Sequence, residues 1–111
     1  MKFKVTKKLL VKTYEYLLEC RYFSKLPPSH DIVFKVFKSN KYLGFFEDTP
    51  NTIMVSKKCA NNSEVLQTMA HEMVHLLLEI KGNTKHYDHD DNFDILANKI
   101  CKYYGFSQED F

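Results

Sequence analysis

SEVLQTMAHEMVHLLLEIK, residues 63–81, decides the fold. Its apolar residues recur every three or four positions, Ser63 can cap its start, and Gly82-Asn83 stops it, so it reads as one long helix. With His71 set at zero and about 100° per residue, His75 falls at about 40°, Glu79 at about 80° and Glu72 at about 100°. Leu66, Met69, Met73, Leu76, Leu77 and Ile80 fall between about 140° and 240°. The helix should therefore pack an apolar back into a core and present a front of two histidines and a glutamate.

That front has a chemical reading. Residues i and i+4 stack one turn apart, so two imidazoles can meet one ion at about 2.0–2.1 Å. A zinc ion held by three protein groups keeps a water whose pKa falls towards 7. Glu72, offset around the helix from His71, can face that water, take its proton during attack on a carbonyl and later protonate the leaving amine. This is the H-E-x-x-H arrangement of zinc metallopeptidases. A shuffled chain of this composition contains it by chance about 1–2% of the time. The added weight comes from its place on a strongly amphipathic helix, facing away from the apolar stripe.

Working outward, residues 6–22 read as a helix, with Thr6 as N-cap and an end before Pro27-Pro28. Three β-like runs follow at 32–38, 42–48 and 52–58, separated by Ser39-Asn40-Lys41 and by Asp48-Thr49-Pro50-Asn51. Connections this short predict a three-stranded antiparallel meander, with Ile32, Phe34 and Val36 on one face. After the long helix, the polar stretch 82–91 leads to a last helix carrying Phe93, Leu96, Ala97, Ile100, Cys101 and Tyr104 as one stripe, with Asp90 or Asp91 as cap and Gly105 at its end. The expected class is α+β: N-terminal helix, three-stranded antiparallel sheet, zinc helix, polar loop and C-terminal helix, as a single domain over 1–111.

The 111 residues leave room for little more than one core, so bound metal would add useful stability. Net charge is +2, yet residues 1–60 hold 12 basic and 5 acidic side chains, and residues 61–111 hold 4 and 9. The basic half allows a polyanionic partner such as nucleic acid, although a solvated lysine surface explains it equally simply. Cys20, Cys59 and Cys101 are odd in number and form no C-x-x-C pair, which argues against a disulfide scaffold and a zinc ribbon and fits a reducing compartment. No stretch reads as a signal peptide and no apolar run approaches the roughly 20 residues of a membrane span. A cytoplasmic or otherwise intracellular protein without membrane association is expected.

A third ligand must come from downstream. Leu78 and Lys81 stand where a metzincin has glycine and histidine, which excludes that branch. Asp94 is the nearest acidic candidate; His86 and His89 offer nitrogen. The run LQTMAHEMVHLLL (66–78), followed by a polar loop and HDDNF (89–93), resembles the SprT-like zinc metallopeptidases, which include the Spartan proteases. NTIMVSKKCANNSEVLQTMAHE (51–72) is similar to that family's last strand, short connection and zinc helix. The resemblance implies one Zn2+ held by His71, His75 and His89, with Glu72 as general acid/base and Phe93 docking the last helix onto the core. His89 also lies close before the apolar stripe of that helix, whereas His86 lies deeper in the loop. Asp90 departs from the glycine common after the third histidine, and no zinc ribbon or other DNA-binding module follows. His86, Glu79 and Asp94 remain possible supports for a ligand or contacts for substrate. Asp90, Asp91 and Asp94 also suit a helix start.

The reading expected is a zinc endopeptidase acting on protein or peptide. A strand at 52–56 would be the sheet edge that pairs with substrate; Tyr42, Tyr87 and Tyr103 are candidates to polarise the carbonyl, though each equally suits a core or rim position. Two alternatives stand beside it: a non-catalytic zinc-binding interaction module, of a kind suited to a virus or mobile element, and a nucleic-acid-associated protein using the basic half. Oligomeric state is not legible.

Overall fold

The computed structural model of the chain describes residues 3–82, 91–107 and 111. Thr6 caps the first helix: its hydroxyl accepts a hydrogen bond from the Leu9 N–H at 3.1 Å and starts α1, Lys7–Leu18. The helix is shorter than the sequence implies. Beyond Leu18 the chain winds through three successive turns, in which the N–H of Cys20, Phe23 and Leu26 donates to the carbonyl of Leu17, Cys20 and Phe23. Three-residue spacing puts Cys20, Phe23 and Leu26 on one side, and all three are buried. Tyr14, fully buried in α1, keeps its hydroxyl satisfied by donating to the Pro27 carbonyl at 2.6 Å and meets Phe34 edge-on.

A short 3-10 turn, Ser29–Asp31, leads into β1 (Val33–Phe37), followed by β2 (Gly44–Glu47) and β3 (Thr52–Ser56). The expected meander is not what forms. The sheet is mixed, in the order β1-β3-β2, with β1 parallel to β3 and β2 antiparallel to it. The reason lies in the two connections. Residues 48–51 make a tight turn that pairs β2 with β3, as the sequence implies. Residues 38–43 can reach about 20 Å, ample for the two strand spacings, about 9.5 Å, needed to pass the end of β3. Two serines fix that crossing. Ser39 Oγ accepts from the N–H of Lys41 and of Tyr42, and the buried Ser56 hydroxyl donates to the Ser39 carbonyl at 3.0 Å. The strand at 52–56 is therefore the sheet's centre, and β2 is an edge. Alternation holds within β1, where Ile32 and Phe34 are buried while Val33 and Lys35 are exposed.

The long helix, α2, spans Asn62–Ile80. Its cap is Asn61, not Ser63: the Asn61 side chain accepts from the Glu64 N–H, and Glu64 Oε1 accepts from the Ala60 N–H. These reciprocal bonds satisfy two backbone donors at the helix start. Gly82, at φ +82°, ends the helix in the left-handed conformation. α2 packs against α1, α3, β2 and β3. That central position changes the expected faces, because nearly every side chain from Val65 to Leu78 is sheltered, Glu72 and His75 included, while Ile80 is 47% exposed. The last helix, α3 (Asp91–Tyr104), buries Phe93, Ala97, Ile100 and Cys101. It ends at Gly105 (φ +75°) with the Phe106 N–H bonded back to the Cys101 carbonyl. The architecture is thus α+β, three helices against a mixed three-stranded sheet, and α2 carries the site through its middle. All three cysteines are buried and free. Among the described residues no helix is long and apolar enough to cross a membrane.

Candidate metal centre

One helical turn separates His71 from His75, and their ring centroids lie 5.2 Å apart. Glu72 is 95% buried between them and the sheet edge. A donor atom from each of His71, Glu72 and His75 falls within 4.8 Å of the other two, the one such convergence among the described residues. No described residue donates a hydrogen bond to the Glu72 carboxylate. Burial alone pushes its pKa up from 4.5 to about 8. A buried carboxylate without a donor among the described residues, beside two imidazoles, is an arrangement that a cation and its water would satisfy. The donor set of two nitrogens and an adjacent carboxylate fits a borderline metal such as zinc.

Aromatic rings hold the histidines in place. Phe93, at the start of α3, sits 5.1 Å from the His71 ring and 4.7 Å from the His75 ring, and is itself buried. Phe111 lies 5.3 Å from His71 and 6.4 Å from Phe93. A cavity of about 500 Å³ opens at His71 and Glu72. Tyr42, Leu43 and Gly44 line it from β2 and the segment before it, Thr68 lines it from α2, and Phe111 lines it beside His71. The edge strand β2 therefore borders the reactive face. The 52–56 strand, expected there, is covered on both sides.

The other candidates divide. His86, His89, Tyr87 and Asp90 lie outside the described residues. Glu79 is half-buried on α2, and Asp94 is exposed in the first turn of α3; neither joins the converging group. Of the tyrosines, Tyr42 stands in the cavity wall, whereas Tyr103 meets Tyr22 and Tyr104 edge-on. Three site residues escape a reading of the motif alone. Thr68, one turn before Glu72, shares the front of the helix and was legible from its angle. Gly44 was signalled by a glycine within a strand pattern, which marks close backbone approach. Phe111 carries no periodic signal.

The sequence profile of the SprT-like family matches residues 12–110. No curated protein sequence matches the chain significantly.

Proposed function

Because the chain belongs to the SprT-like family, we propose that it is a zinc-dependent metallopeptidase with Glu72 as general acid/base. The observation that carries this reading is the buried Glu72 carboxylate, to which no described residue donates, converging with His71 and His75 on an open cavity. His71 and His75 would hold the ion, with His89 as the third ligand implied by the family pattern. Zinc, when bound there, would supply an acidified water and an electrophile for the scissile carbonyl.

The chain's own residues do the rest. Glu72 takes a proton from the attacking water and returns it to the departing amine. Phe93 keeps both imidazoles from turning. An extended peptide laid along the open side of β2 would pair with its backbone, with the exposed Leu43 and Phe45 beside it. Tyr42, in the wall, is placed to meet the substrate carbonyl or a neighbouring side chain. The substrate is thus read as an unfolded or extended protein segment.

The test is hydrolysis of a denatured protein. Activity should vanish on chelation, return with stoichiometric zinc, and be absent from zinc-loaded Glu72→Gln. Undiminished cleavage by that variant would remove Glu72 from its role.

A further inference from the structure

Gly44 stands where β2 runs closest to α2. Within the strand it shares the inward face with Phe46, and it pairs across with the buried Val55. Any side chain at 44 would point straight at the helix. A β-carbon built there would lie 2.6 Å from Thr68 Cγ2, 2.8 Å from Glu72 Oε2 and 3.2 Å from Glu72 Cγ. β-Carbons essentially never approach other heavy atoms within 3.0 Å, so an alanine forces something to move.

The requirement is one of space, not of backbone conformation. Gly82 and Gly105 have positive φ, and Gly44 does not. Any residue could adopt its strand geometry, and a glycine weakens a strand by its flexibility. What position 44 gains from a bare backbone is proximity to the Glu72 carboxylate. β2 thus bounds the Glu72 carboxylate on the sheet side, while one of its oxygens lies within 4.8 Å of a ring nitrogen of each of the two histidines. We propose that Gly44 is the positioning residue for Glu72: its missing side chain lets the edge strand close on the carboxylate from the sheet side and seat it beside the histidines. The role of that seating in hydrolysis rests on the peptidase reading above; the seating itself does not.

The two crowded neighbours can be separated by mutation. Thr68→Ser removes only Cγ2, the tighter obstacle, and Glu72→Ala removes both Glu72 atoms. The first measurement is a thermal-stability cycle on metal-free protein. Gly44→Ala should lower the melting temperature, and part of that loss should disappear in a Glu72→Ala background, the part owed to Thr68 Cγ2 remaining. The second is steady-state hydrolysis with bound zinc counted in each variant. Gly44→Ala should keep one zinc and a near-normal KM while kcat falls about tenfold to a hundredfold, the scale of a small misplacement of a reacting group. Gly44→Ala/Thr68→Ser should regain the other part of the stability, which keeps the test open if the single variant folds poorly, yet its kcat should stay low. If stability losses at 44 and 72 simply add, or if Thr68→Ser restores kcat as well, the proposal is overturned. An unchanged kcat in Gly44→Ala overturns it too. Wild-type protein without zinc-dependent hydrolysis would remove the peptidase reading alone, since the stability cycle would still decide whether Gly44 seats Glu72.

Discussion

Glu72 has opposing demands placed on it by its surroundings. Burial favours the neutral acid, whereas a cation at His71 and His75 favours the carboxylate. In metal-free protein only the first acts. The native carboxyl then keeps its proton up to about pH 8, while the unfolded chain releases it near 4.5. The native state binds more protons across that window, so stability should fall as pH rises through it. Melting temperatures of metal-free protein at pH 5 and pH 8 should show this decline, and Glu72→Gln should flatten it; parallel curves for the two proteins would contradict the assignment. Replacing either His71 or His75 by alanine should reduce zinc affinity by orders of magnitude, measured by calorimetric titration, because two remaining ligands hold the ion poorly. His71, Glu72 and His75 were legible because their spacing is a local helical property. Gly44 and Phe111 come close to them only through tertiary packing, which spacing along the chain does not encode.

The helices were easier to foresee than the sheet for a similar reason. Thr6, Gly82 and Gly105 do at their helix ends what the sequence implies, since capping depends on residues a few positions apart. Asn61 displaced Ser63 as cap of α2 because Glu64 can bond back to Ala60 only from that frame. Asn61→Ala should therefore cost about 1 kcal/mol in chemical denaturation, with Ser63→Ala costing much less. Strand order depended on whether residues 38–43 turn back or cross, and six residues permit either; the choice was made by Ser39 and Ser56, on different segments. Phe93 links element to site, since α3 docks through a ring that touches both histidines. Phe93→Ala should cost about 3–5 kcal/mol of stability and weaken zinc binding in parallel. A loss of stability with zinc affinity intact would mean that the ring serves the core alone.

At the scale of the whole molecule, charge and metal act on different parts. Lys35, Lys38, Lys41, Lys57 and Lys58 are all exposed on β1 and on the segments after β1 and β3, and Lys41 reaches the cavity wall. We propose that these lysines attract polyanionic partners by charge; retention on DNA should then fall steeply between 50 mM and 200 mM salt, and no retention at the lower salt would dismiss it. Metal, by contrast, would act on the core. A chain of 111 residues has a modest stability margin, so saturating zinc should raise the melting temperature in proportion to the logarithm of its free concentration. The account's central claim is a zinc ion with one coordination position left open beside Glu72. X-ray absorption at the zinc edge, on protein loaded with one equivalent, tests it most directly. The predicted result is three histidine nitrogens and one oxygen, losing one nitrogen in His89→Ala. A closed shell of four protein ligands, or no stoichiometric zinc at all, would contradict it.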